Sequence, residues 1–285
     1  MPDESQDIVE EWRYFSLSTF AAVLMHRSFT WAALLTAWKI TLFWPVSASA
    51  SPPVIAAASD LQFALSEIAE KFTRETGQPV KLKFGSSGVF YRQIMQGGPF
   101  ELYLSADETY VERLKANDMT LDAGTLYALG RLALVVPNNA PNDAGQQLGD
   151  MRKGIAAKSI QRFAIANPEH APYGQRAEEA LRHIDLWDIL KDRLVLGENV
   201  SQAAQFVASG NAQAGIVAYS LALAPALQER TSMALLPASW HQPLRQRMVL
   251  TKKAGATSEA FYQYMQTPAA RTVMQRYGFD LHSER

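Results

Sequence analysis

No cysteine occurs among the 285 residues. Disulfides, thiol nucleophiles and cysteine-bound metals are therefore excluded, as is a lipid-modified amino-terminal cysteine. An excess of one charge is missing too. Lysine and arginine total 27 against 28 aspartates and glutamates, a net charge of −1, so nothing points to nucleic acid or a strongly charged partner surface. The chain has no internal repeat and no low-complexity segment. Gly85-Ser86-Ser87-Gly88 lacks the Gly-Lys-Ser/Thr ending of a phosphate-binding loop, and there is no Gly-x-Ser-x-Gly elbow. Glu169-His170 invites a metal, yet no second histidine stands at ligand spacing. The pair is expected to be loop scaffolding, with no direct metal ligand.

What is present begins with an export signal. Phe29 to Trp44 is a mostly apolar run, preceded by His26-Arg27 and closed by Ala48-Ser49-Ala50. That order is the one of a secretory signal, with cleavage expected after Ala50. The run is short for a membrane span and carries Lys39, which argues against an anchor. Met25 would be an ordinary start for such a signal, and residues 1–24, an acidic prefix, fit a misassigned start.

After residue 50, short apolar strands alternate with helical stripes. Val54 to Ala58 reads as a strand; Leu61, Leu65, Ile68 and Phe72 then fall at helical spacing, with Gly77 as the stop. Val80 to Phe84 alternates with Lys81 and Lys83 as a strand with one wet face. Further strands are expected at Leu102–Ser105, Arg131–Val136, Arg162–Ala166, Leu194–Leu196, Ala214–Ala218, Met233–Leu236 and Arg247–Leu250. The alternation predicts two α/β lobes with a cleft between them. Residues 51–136 form the first part of lobe one, 137–243 form lobe two, and 244–285 return to lobe one; the first crossing is placed at the turn-rich Pro137–Asn142.

Two of these strands end in small hydroxyl residues where a helix starts, at Ser59 and at Ser87. Taken alone, both read as helix caps, and Gln62 stands at capping-box spacing from Ser59. Two helix starts aimed at one point would also make a set of neutral donors suited to an oxyanion.

Six blocks in register carry a resemblance. They are Ala56-Ala57-Ala58-Ser59, Phe84-Gly85-Ser86-Ser87, Leu104-Ser105-Ala106-Asp107, Asn167-Pro168-Glu169-His170-Ala171-Pro172-Tyr173-Gly174, Gly215-Ile216-Val217 and Arg276-Tyr277-Gly278-Phe279. In this order the chain from Val54 to Leu281 resembles the periplasmic molybdate-binding proteins. The resemblance implies a type II periplasmic-binding-protein fold, two-lobed, with the ligand cleft between lobes. It implies a receptor that passes molybdate, and tungstate too, to the inner-membrane permease and ATPase of an ABC importer. A periplasmic monomer with no cofactor and no nucleic-acid partner is expected. Carried over by position, Ser59 and Ser87 match hydroxyl ligands, and Tyr173 and Val200 match backbone N–H donors.

Two positions depart from the pattern. A tyrosine follows the Gly-Ile-Val strand directly in some members, whereas here Ala218 stands there and Tyr219 one residue later. A one-residue shift turns a strand side chain to the other face, so Tyr219 is a doubtful ligand. Asp60 stands where other members have a neutral residue. It is expected in a first helical turn, pointing outward and favourable to the dipole. The runner-up reading is a receptor for another tetrahedral oxyanion such as sulfate. A remote one is a secreted serine hydrolase using Ser87 or Ser59 with His170 or His183, for which no orienting acid is evident. A regulator's sensor half is a third reading, opposed by the export signal and by the lack of a DNA-binding helix pair.

Overall fold

The computed structural model describes residues 51–140, 153 and 159–281, and the export signal expected within 1–50 lies outside them. The first strand, β1 (Val54–Ala58), is buried along nearly its whole length. A strand covered on both faces needs an apolar run rather than alternation, and Val-Ile-Ala-Ala-Ala supplies it. A 3-10 turn over Ser59–Leu61 leads into the helix Gln62–Thr76, which buries Ala64, Leu65, Ile68, Ala69 and Phe72. That helix stops at Gly77, whose φ of 71° is the left-handed geometry a side chain resists. Phe72 meets Phe261 edge-on at 5.1 Å between ring centres, joining this helix to Ala256–Tyr264 near the carboxyl end. Each large apolar side chain removed from water here contributes roughly 1.5–3 kcal/mol.

Four more strands complete the first sheet: β2 (Lys81–Gly85), β3 (Phe100–Ser105), β4 (Thr125–Gly130) and β10 (Leu244–Leu250), in the order β2-β1-β3-β10-β4. β2 and β3 flank β1 in parallel, and β10 runs antiparallel to both β3 and β4. The second sheet has β5 (Leu132–Pro137), β6 (Phe163–Ala166), β7 (Leu194–Gly197), β8 (Ala214–Ala218) and β9 (Thr231–Leu235), in the order β7-β6-β8-β5-β9. Each sheet anchors a lobe, and Ser49–Arg285 is one compact unit. Among the described residues no helix is long and apolar enough to cross a membrane.

One expectation needs correction. The chain leaves the first sheet at Gly130, ahead of Pro137, because the buried run Leu132–Val136 already pairs with β8 and β9. Residues 132–136 therefore belong to the second sheet, and the crossing is at Gly130–Arg131. β4 itself was not foreseen, since Thr-Leu-Tyr-Ala-Leu-Gly does not alternate between apolar and polar residues. The return runs from Leu235 to Leu244 beside the first crossing. The Arg131 guanidinium donates to the Leu236 carbonyl at 3.2 Å, and the Leu236 N–H donates to Leu132 at 3.0 Å.

Candidate functional site

Four strands end at one place. β1 delivers Ser59, β2 delivers Ser87, β6 leads to Tyr173 and β7 leads to Val200. These four, with Ala58, Asp60, Gly85, Ser86, Ala106, Ala171 and Pro172, enclose a cavity of about 10 Å³. A space of that size suits a water or a small ion rather than an extended metabolite. Among the described residues no lysine, arginine or histidine lines it.

The serines sit here for reasons other than capping. Ser59 makes no cap bond to its own turn; its Oγ accepts the Ser201 N–H at 3.3 Å. Gln62, read as its capping-box partner, accepts the Ser201 hydroxyl on Oε1 at 2.6 Å. Both side chains thus face the opposite lobe, which overturns the capping-box expectation. Ser87 opens the helix Ser87–Met95, and its Oγ accepts the Ala106 N–H at 3.0 Å. The phenol of Tyr103 donates to the Ser87 carbonyl at 2.8 Å and fixes the turn from below. Each serine oxygen already accepts one bond, so its own proton is left for an acceptor in the cavity.

On the other lobe, Pro172 and Tyr173 begin the helix Pro172–His183, and Val200 begins Val200–Ala208 behind the Asn199 cap. The first turn of a helix has N–H groups without helical acceptors and carries the positive end of the dipole. The Tyr173 and Val200 N–H groups stand in those turns. His170 lies in the loop between β6 and this helix, where its carbonyl accepts from Gly88 N–H at 3.0 Å and from the Ser86 hydroxyl. Its backbone thus bridges the cleft. Among the described residues no cluster fit to hold a metal ion is found. Arg176 closes a further bridge between lobes, 3.2 Å from Asp107.

Tyr219 is not in the cavity wall. It opens the short helix Tyr219–Ala222, beside Gly278, where an added Cβ would meet its ring at 2.7 Å. Asp60 is in the wall, and the expectation that it points outward is wrong. It is 1% exposed. Its Oδ2 accepts the Tyr173 hydroxyl at 3.0 Å and the Gln246 amide at 2.7 Å, while Oδ1 has no partner. Burial pushes this carboxyl up to about 6 from an ordinary 3.8, against the lowering pull of Gln246, Tyr173 and the backbone N–H groups of Asp60 and Leu61. The outward reading failed because the turn after Ser59 is a tight 3-10 turn wedged between the lobes, with no solvent face to offer.

Gln246 was missed. It is fully buried on β10 between the partly buried Arg245 and Arg247. A polar residue on the inward side of an alternating strand was the signal available.

A family model described as bacterial extracellular solute-binding protein matches residues 53–280. The chain belongs to that family. This solute-binding protein is similar to the molybdate-binding protein ModA of Rhodobacter capsulatus, 33% identical over 86% of this chain and 94% of that one. The ModA of Azotobacter vinelandii is 34% identical, covering 82% and 92%. Among solved structures, the Azotobacter vinelandii periplasmic molybdate-binding protein superposes with a TM-score of 0.73 at 30% identity, over 81% of this chain and 100% of that one. The two-lobed architecture of a periplasmic binding protein, with its cleft between lobes, is therefore the fold of this family member.

Proposed function

We propose that this chain is a periplasmic receptor that holds molybdate, and tungstate with it, between its lobes and delivers it to the permease and ATPase of an ABC importer. One observation carries the reading: four strand-to-helix turns converge on a small cavity whose wall holds no cation. Molybdate is a tetrahedral dianion with no proton to give near neutral pH. Hydroxyls of Ser59 and Ser87 with N–H groups of Tyr173 and Val200 would meet it with fixed donors and no formal charge that binds every anion alike. The naming of relatives as molybdate-binding proteins supports that ligand over sulfate. The bonds Ser59–Ser201, Ser86–His170 and Asp107–Arg176 join the lobes in a closed form. An anion that completes the same interface would select that form and so report occupancy to the importer. Export by the cleaved segment 1–50 and a monomeric state complete the proposal.

Thermal unfolding with molybdate, tungstate, sulfate and phosphate in parallel tests it. A ligand at about 100 times its Kd stabilises by about 2.7 kcal/mol, which raises Tm by roughly 2–4 °C per kcal/mol in a chain of this size. A shift with molybdate and tungstate is the expected result. A shift with sulfate instead replaces the ligand, and no shift with any of the four overturns the reading.

A further inference from the structure

A wall built of donors contains one group of the opposite kind. Asp60 lies in the cavity wall with Oδ2 held by Tyr173 and Gln246 and Oδ1 buried without a partner. An ionised carboxylate there would face a bound dianion at close range in a medium of low polarity, where like charges repel strongly. The two donors on Oδ2 do not remove that charge. A proton on Oδ1 would, and it would turn the orphaned oxygen into a donor, the one kind of group the rest of the wall supplies.

We propose that Asp60 makes anion capture conditional on a proton: the cavity takes a tetrahedral dianion with Asp60 as the neutral acid, its Oδ1–H serving as an additional donor. The proton comes from solvent and stays on Asp60, and no bond of the anion is broken. The inference deepens the oxyanion-receptor reading and rests on it.

Burial favours the neutral acid and outweighs Gln246, Tyr173 and the backbone N–H groups of Asp60 and Leu61, which favour the ionised form. The ionisable groups that face Asp60 are the phenols of Tyr173 on the second lobe and Tyr127 on β4, both held far above their ordinary values by burial and then by Asp60 itself. Gln246 from β10 and the Ser220 hydroxyl, which donates to the Asp60 carbonyl at 2.8 Å, are neutral. Across the cavity, His170 is turned to Ser86 at 3.0 Å and lies 3.8 Å from Glu198. Burial raises this carboxyl towards the pH range where capture would take place.

The test is calorimetric titration of the whole protein with micromolar molybdate from about pH 5 to about pH 8, in paired buffers of different ionisation enthalpy so that protons are counted. Affinity should be level below the carboxyl's titration and fall about tenfold per pH unit above it, with close to one proton taken up per anion near pH 8. Asp60→Asn keeps an acceptor for Tyr173 and Gln246 and should bind with a level profile, no proton uptake and higher affinity than the parent near pH 8. Level binding by the parent with no proton uptake overturns the role of Asp60 and leaves the receptor reading standing. A slope that survives in Asp60→Asn belongs to another group and also overturns it. Hydrogen phosphate bound in preference to molybdate without proton exchange overturns it as well, because an ionised Asp60 would then be the acceptor. No anion bound at any pH defeats the receptor reading itself.

Discussion

Position by position, the order β2-β1-β3-β10-β4 of the first sheet matches the order β7-β6-β8-β5-β9 of the second. In each, three parallel strands are followed by an antiparallel one, and that fourth strand is the one that has just entered from the other lobe. Ser59 follows β1 as Tyr173 follows β6, and Ser87 follows β2 as Val200 follows β7. The equivalent turns nonetheless offer different chemistry, side-chain hydroxyls from one lobe and backbone N–H groups from the other. Topology therefore decides where the donors stand, and residue identity decides what they are. The first lobe alone also brings a carboxyl.

That carboxyl is the largest asymmetry, and the unliganded protein should reveal it. Asp60 is raised in the folded state, so the fold binds its proton more tightly than the unfolded chain does. Its stabilising share is complete below about pH 4 and is lost as pH rises to about 6, a loss of about 3 kcal/mol. Chemical denaturation of the parent and Asp60→Asn across this window should give curves that diverge by that amount, the variant being the more stable at neutral pH. Parallel curves would place the carboxyl in water.

Next in size is contact between the two sets of turns. A Cβ on Gly88 would stand 2.6 Å from the His170 carbonyl and 2.9 Å from the Tyr110 hydroxyl. Gly88→Ala should hold the lobes apart and lower anion affinity about 100-fold, about 2.7 kcal/mol, with a larger radius of gyration in the presence of the anion. Unchanged affinity would mean that closure tolerates a wider gap on this side. Ser87→Ala removes one hydroxyl donor and leaves the Ala106 N–H without its acceptor. Binding should weaken by about 1–3 kcal/mol; a full-strength variant would show the hydroxyl to be structural. Smallest of all, Tyr219→Phe should leave affinity within about 0.3 kcal/mol, since its ring packs by Gly278 outside the cavity wall and surface changes are seldom larger. A marked loss would place the phenol at the anion after all.

How far the sequence was legible follows from what each signal depends on. Val54–Ala58 and Ala214–Ala218 were read to the residue, because fully covered strands are unbroken apolar runs. The Asp107 and Asn199 caps are local features, both side chains accepting N–H bonds in their own helix. Ser59 and Gln62 look the same locally and were misread, since their partner Ser201 is more than a hundred residues away. Asp60 failed in the same way: its exposure is decided by Tyr173 and Gln246 from two other segments. The matching plan of the two sheets left no trace as a repeat, because Ala-Ala-Ala-Ser and Ala-Ile-Ala-Asn share a place and not a chemistry.

The paired crossings at Gly130–Arg131 and Leu235–Leu244 lie side by side, tied by the Arg131 and Leu236 bonds. Two lobes joined at two neighbouring points would keep one easy degree of freedom, rotation about the line through them. Sliding and twisting would stretch one connection or the other. An anion already seated on the serines would then wait for a swing along a single coordinate, and every return swing would bring Tyr173 and Val200 to the same place. On the proposed reading the fold would set how the site assembles before any ligand arrives, and a single angle measured in solution would follow it.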